Sequence, residues 1–201
     1  MSLIHVLDSD GKVIQKIGSG KTFKTPPLSN GGNRFRFDVD NTGNILIAFL
    51  FQNRIEKYDD SGKLQFSLQR EISKKMIINK KENAYYALTC GICFDEKGQI
   101  WNLERVKRPS RPNKEDYEKA MINENGMLRI DYSKLDIPEE TDQFALDLYD
   151  QEGLHLNRYN LDHYCSNLRI IGDKLFICDA DVTMDFYVYQ LNEGSVASDW
   201  Q

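Results

Sequence analysis

The chain is 201 residues long, 40% hydrophobic and 28% charged, with a formal net charge of −5. That length holds one domain with a sizeable core, and the composition is ordinary for a globular chain. The acidic balance argues against nucleic acid as a partner, because phosphates demand a basic surface, and no apolar run approaches the ~20 residues needed to span a bilayer. Ten Phe and ten Tyr residues, with Trp101 and Trp200, suit an all-β interior whose pleated surfaces are filled by large flat side chains.

In chain order, Ile4 to Gly18 reads IHVLDSDGKVIQKIG, two apolar runs around an Asp/Gly turn. The run opens almost at the first residue, so no secretory leader is expected there. Phe37 to Gln69 reads FDVDNTGNILIAFLFQNRIEKYDDSGKLQFSLQ; its second half repeats the first segment, and its first half recurs at Ile92 to Glu104 as ICFDEKGQIWNLE. Further turns occur at Asp150–Gly153, Ile171–Lys174 and Leu191–Gly194, making seven hairpins. Gly supplies positive φ at these bends while Asp and Asn cap their own backbone. Alternation such as Arg54-Ile55-Glu56-Lys57-Tyr58 is the period-two mark of a half-buried strand.

The hairpins assemble into four-stranded units A to D. The first unit holds only a C–D pair (4–7 and 13–17). The second has A at 34–39, B at 44–50, C at 54–58 and D at 64–68. The third has A at 91–95, B at 99–104, C at 144–149 and D at 154–159, and the fourth 167–171, 174–178, 186–190 and 196–200. Equivalent turns lie 51 (Gly11 to Gly62) and 55 residues apart (Gly43 to Gly98), a repeat length close to that of β-propeller blades. No 10–15-residue helical pattern separates the runs, which excludes a parallel βαβ arrangement. The expected fold is all-β: a β-propeller with four-stranded antiparallel blades, about 3.5 of them present, as one domain over 1–201 with an insertion at 105–142 between B and C of the third unit.

Gly18-Ser19-Gly20, Phe37-Asp38-Val39-Asp40 through Gly43-Asn44-Ile45, Asn53-Arg54-Ile55 and Tyr58 to Lys63 resemble an NHL-type repeat. The match is close over residues 4–70, partial at 90–104 and 144–159, and weak at 167–200, where Gly172-Asp173 shortens the turn. The resemblance implies the six-bladed propeller group, whose members include interaction scaffolds, bacterial exported proteins and metal-dependent lyases and lactonases. It implies export to the periplasm or beyond, and it names no substrate.

An unclosed arc exposes strand edges, a liability for association. Two readings fit: the chain is the C-terminal part of a longer propeller, which is favoured, or copies pair across the open ends as a homo-oligomer.

Antiparallel order puts the short A–B and C–D turns on one face. The other face receives every long segment: 18–33, 70–90 and 105–142. Long loops on a rigid scaffold are where binding residues gather. In the insertion, 114–122 suits a short helix with Tyr117 and Met121 on one side, or Asn125-Gly126 turns a hairpin between 120–122 and 127–130. Gly18-Ser19-Gly20-Lys21-Thr22 imitates a phosphate loop but lacks its first glycine and is followed by Pro26-Pro27. Cys90, Cys93, Cys165 and Cys178 are read as buried thiols, with Cys90 and Cys165 within reach of each other near the axis. His5 and His155 fall on outer strands, and only His163 is placed for binding. Asp38, Asp95 and Asp179 lie near the inner strands, Asp38 and Asp95 as turn and strand-capping residues.

The function expected is a non-catalytic scaffold taking a protein or small-molecule ligand on the long-loop face. Its candidate contacts are Arg34, Tyr85, Tyr86, Arg105, Arg108 and His163, because Arg and Tyr favour recognition patches. No catalytic residue and no cofactor is assigned. The alternative is a lactonase- or lyase-like enzyme with a divalent cation held by carboxylates in the central channel.

Overall fold

The computed structural model describes residues 2–24, 31–70, 78–79, 84–107, 114–124, 127–131, 134, 142–179 and 185–191. Its strands fall into radial antiparallel sheets. The first is a hairpin of β1 (Ser2–Leu7) and β2 (Val13–Ser19). Blade 2 runs β3 (Phe35–Val39), β4 (Ile45–Phe49), β5 (Arg54–Tyr58), β6 (Leu64–Gln69) in spatial as in chain order. After the short pair β7 (Ile78–Asn79) and β8 (Ala84–Tyr85), blade 3 uses β9 (Thr89–Phe94) and β10 (Ile100–Arg105). Helix α1 (Lys114–Ala120) and the hairpin β11 (Met121–Glu124) and β12 (Met127–Ile130) then intervene. Blade 3 resumes with β13 (Phe144–Tyr149), which pairs with β10, and β14 (His155–Leu161). Blade 4 contributes β15 (Asn167–Ile171), β16 (Lys174–Cys178) and β17 (Phe186–Gln190). The fold is a β-propeller of four-stranded antiparallel blades, about three and a half present. The fourth D strand expected at 196–200 and the turn at Gly194 lie outside the described residues.

One device makes five of the turns. Asp8, Asp40, Asp59, Asp95 and Asp150 each accept, at Oδ1, the backbone N–H four residues on, at 2.7–2.9 Å. The glycine three places after each aspartate has φ between 73° and 87°, where a Cβ would be strained. The insertion contains both structures its sequence offered, since the helix ends at Ala120 and the hairpin starts at the next residue.

The central strands explain their own composition. All five residues of β4 (ILIAF) are buried, because each face meets a different neighbouring sheet. Ile45, Ile47 and Phe49 pack with Ile17 of the first hairpin, whereas Leu46 and Ala48 pack with Ile92, Phe94 and Ile100 of blade 3. On the far side of blade 3, Trp101, Leu103, Phe144 and Leu146 meet Leu168, Leu175 and Ile177 of blade 4. The core is therefore a series of apolar layers between stacked sheets.

The inner strands meet near the axis through a repeated polar contact. Phe94 N–H of blade 3 donates to Asp38 Oδ2 of blade 2 at 3.0 Å. At the equivalent position one blade on, Ile170 N–H donates to the Cys93 thiol. Asp38 also accepts from Arg169 Nη1 of blade 4 at 3.2 Å, so one carboxylate touches three blades. Approach between β9 and β15 is close at Gly91, where a Cβ would lie 2.9 Å from the Leu168 backbone nitrogen. Backbone cannot yield there as a side chain would, so Gly91→Ala is expected to destabilise by about 1–3 kcal/mol in urea unfolding. Gly31→Ala, whose Cβ would meet nothing nearer than 3.7 Å, should stay within about 0.5 kcal/mol of the parent.

Candidate binding surfaces and a buried ion network

The long-loop face is built where β10 ends, β13 begins and β14 hands over to β15. Arg105 closes β10 and donates from Nη1 to Gln143 Oε1 at 2.8 Å and from Nη2 to Tyr164 Oη at 3.1 Å. Its guanidinium lies 4.6 Å from the Phe144 ring centroid and 5.6 Å from that of Tyr164. Phe144 and Tyr164 contact each other edge to face at 4.9 Å. Beside Tyr164, the His163 ring lies 3.8 Å from Tyr187 and 6.2 Å from Tyr189, both on β17. Its Nδ1 is 2.9 Å from Asp162 Oδ1 and its Nε2 is 3.2 Å from Tyr189 Oη. With the proton on Nδ1, the imidazole donates to the aspartate and accepts from the phenol. Burial pushes the Tyr189 phenol up to about 12, further from ionisation than an ordinary tyrosine, and the protonated phenol can donate to the ring.

Of the six residues singled out in the sequence, Arg105 and His163 fall near each other, since Arg105 bonds Tyr164, the residue that follows His163 in the chain. Arg34 precedes β3 in blade 2 and is exposed, with its carbonyl accepting from Leu50 N–H. Tyr86 is buried in the interior. Tyr85 ends β8, but its side chain lies outside the described residues, as does the whole of Arg108. The cysteines are thiols, three of them buried, and burial with the nearby Cys90 raises the Cys165 thiol. Among the described residues no three His, Cys, Asp or Glu side chains group as a metal site.

A second arrangement lies between blades 2 and 3. Arg70, from the linker after β6, pairs with Glu104 Oε2 at 3.2 Å and donates to the Gln52 carbonyl at 3.0 Å. Glu104 also contacts Arg158 of β14, which holds Asp147 through Nε at 2.7 Å and through Nη2 at 2.8 Å. His155 Nε2 completes the chain at 3.1 Å from Asp147 Oδ1. The Glu104 and Asp147 side chains are 2% and 0% exposed, so the charges face each other in a low dielectric. Burial, then Asp147, raises the Glu104 carboxyl above its ordinary value. Burial acts on Asp147 too, but the Arg158 and His155 hydrogen bonds outweigh it and hold that carboxyl low. Burial also lowers the Arg70 guanidinium, against the pull of Glu104. In the same layer the Asn102 amide and the Thr89 hydroxyl have no hydrogen-bond partner among the described residues.

Sequence reading missed this network, although a signal exists. Asn102 and Glu104 alternate with Trp101 and Leu103 on β10, and Asp147 interrupts the apolar run FALDLY. Ionisable residues at inward positions of buried strands require partners, and for Glu104 and Asp147 these come from β14 and from the linker after β6.

The short-turn face carries a polar cleft of about 470 Å³ at the inner turns, lined by Asp38, Asp40, Lys57, Asp95, Glu96 and Arg169 among others. Three of its four carboxylates are committed: Asp38 as above, Asp40 to its own turn, and Asp95 to its own turn and, at 3.0 Å, to Trp101 Nε1. Asp95 is thus a turn residue as expected, while Asp38 joins blades rather than capping its own strand.

No family model matches this sequence, and no curated protein does. Among solved structures, BamB from Moraxella catarrhalis is 14% identical at a TM-score of 0.39, covering 92% of this chain and 52% of its own. A streptogramin B lyase is 14% identical at 0.31, covering 92% and 60%. The Pan2 WD40 domain of Neurospora crassa is 12% identical at 0.30, covering 87% and 52%. The chain therefore spans between half and two thirds of the length of these proteins. Likenesses this low carry no argument, and the fold stands on the sheets themselves.

The ion network sets a pH dependence. Stability from a carboxyl raised by folding is fully present below its unfolded value of 4.5 and declines as pH rises through the folded value. Asp147 has the opposite sign and loses its contribution only as pH falls below about 3.8. Urea unfolding between pH 4 and 8 should show a decline in the parent that Glu104→Gln removes; an unchanged slope in the variant would assign it elsewhere.

Proposed function

We propose that the chain is a non-catalytic binding scaffold, of the NHL-like six-bladed propeller type, that takes a protein or small-molecule ligand on its long-loop face. The observation that carries this reading is the Arg105–Phe144–Tyr164–His163–Tyr189 cluster. Arg105, His163, Tyr164 and Tyr189 are half-buried around the buried Phe144, at and beside strand ends where the long segments emerge. Such residues supply large contact area with little loss of side-chain freedom and dominate recognition energetics. Arg34, Tyr85 and Arg108 belong to the same proposed surface, whereas the buried Tyr86 does not offer a contact there.

The enzyme alternative needs carboxylates in the channel available to a divalent cation. Asp38 and Asp95 instead spend their oxygens on N–H donors and on Arg169, which favours the scaffold. Calorimetric titration with calcium and with manganese is expected to show no stoichiometric heat. Stoichiometric binding abolished by Asp38→Asn would move the assignment to the enzyme.

The scaffold reading is tested by a thermal-shift screen of small polar and aromatic compounds, repeated on Arg105→Ala and His163→Ala. Compounds that stabilise the parent should lose at least tenfold in affinity in one or both variants, about 1.4 kcal/mol or more. Hits indifferent to both substitutions, with NMR shifts confined to the Asp38–Asp95 cleft, would contradict it.

A further inference from the structure

The layer between blades 2 and 3 is enclosed by two four-stranded sheets of this chain, yet it contains polar atoms that bond to neither. Both amide atoms of Asn102 and the Thr89 hydroxyl are without a partner among the described residues, and the two residues are 0% and 1% exposed. The Arg70 Nε is in the same condition. All three residues stand around Glu104. Thr89 is its register partner on β9, Asn102 lies two places earlier on the same face of β10, and Arg70 pairs with its carboxyl. Buried polar atoms are bonded as a rule, so a group of exceptions in one layer calls for an occupant.

Comparison of the blades sharpens the exception. Counted from the turn aspartates, Asn102 of blade 3 takes the place of Ile47 in blade 2. Ile177 holds that place in blade 4, since Leu175 pairs with Ile170 as Ile100 pairs with Phe94. Ile47 and Ile177 are fully buried in apolar clusters, so the position ordinarily carries a branched aliphatic side chain. The facing sheet differs as well. Blade 3 turns Leu103 toward blade 4, whereas blade 2 turns Ala48 toward blade 3. The Ala48–Asn102 layer is therefore smaller by an isopropyl group than the Leu103–Ile177 layer at equivalent places. That volume exceeds the share of one liquid water, about 30 Å³.

The donors and acceptors state the chemistry of the occupant. Asn102 Nδ2 and Arg70 Nε only donate, Asn102 Oδ1 only accepts, and the Thr89 hydroxyl does either. An anion would leave the Asn102 oxygen bare. A metal cation would face the Asn102 NH₂ group and the Arg70 and Arg158 guanidiniums that hold Glu104. Water donates and accepts at once, and a buried water needs about 2–4 polar partners. We propose that the layer between blades 2 and 3 is a binding site for ordered internal water, held by Asn102 and Thr89 beside the Glu104 ion network. The water bridges these two side chains and takes the free N–H of Arg70, so it is a fixed part of the contact between the blades. The site is independent of the long-loop surface and of the ligand reading made for it.

Oxygen-17 relaxation dispersion of the solvent, recorded on the full chain, counts waters held longer than the protein tumbles. The parent is expected to show a dispersion that loses amplitude in Asn102→Ile, which installs the side chain of blades 2 and 4. Thr89→Val, which removes the hydroxyl at nearly constant shape, should lose amplitude too. On the unaltered protein, a NOESY cross-peak is expected between water and the Asn102 δ2 protons, with the opposite sign in ROESY as direct contact requires. If Asn102→Ile fails to fold, Thr89→Val and that cross-peak carry the test. The proposal is overturned by a dispersion that neither folded variant changes, or by absence of the water cross-peak. It is equally overturned by cross-peaks joining the Asn102 amide to another polar side chain in place of water. A stoichiometric small molecule in the native mass spectrum, lost in Asn102→Ile, would overturn it in favour of a different occupant.

Discussion

A four-stranded blade has two apolar faces and can bury neither by itself. Everything in this molecule follows from that constraint. Strand β4 is apolar at every position because sheets lie on both sides of it, and Asn102, Glu104 and Asp147 are enclosed because their strands occupy the same place in blade 3. The inner strands approach closely enough for Asp38 and Cys93 to accept backbone hydrogen bonds from the next blade. Gly91 is required where that approach is tightest.

The two inter-blade layers differ in kind. Between blades 3 and 4 the contact is apolar and aromatic, with Trp101 stacked on Tyr159 at 6.1 Å. Between blades 2 and 3 an apolar inner region gives way to the Arg70–Glu104–Arg158–Asp147 network. Burying Arg70, Glu104 and Asp147 carries a desolvation cost, which the raised Glu104 carboxyl and lowered Arg70 guanidinium express. The arrangement is specific, since a slip of one strand would strand a charge without its counterpart. It also adjoins the proposed ligand surface: Glu104 and Arg105 are consecutive on β10, one turned toward blade 2 and the other toward Phe144 and Tyr164.

Strand positions were legible because each rests on local chemistry. The Asp-x-x-Gly turns cap themselves, and the alternation of outer strands such as β6 and β14 records one buried and one wet face. The strand pairing of blades 2 and 3 follows from the repeat, and the described strands match it to within two residues at their ends. What the repeat cannot convey is a contact between side chains far apart in sequence. Arg70 and Glu104, Arg158 and Glu104, and Asp38 and Arg169 are separated by 34, 54 and 131 residues. The ligand surface was legible in part. His163 and Arg105 could be assigned to one face from strand order, but their partners, Tyr164 for Arg105 and Tyr187 and Tyr189 for His163, could not. Tyr86 reads as a surface aromatic and is interior, since a single Tyr beside a strand carries no mark of its facing.

The account depends on blades 2, 3 and 4 meeting through β3, β9 and β15 around a common axis. Nuclear Overhauser spectroscopy reads this contact directly. Cross-peaks are expected between the Leu168 methyls and the Gly91 α-protons, and between Phe94 N–H and the Asp38 β-protons. Absence of both, with strong peaks instead joining the outer strands β6 and β14 face to face, would describe a different stacking of the same hairpins and contradict the radial arrangement.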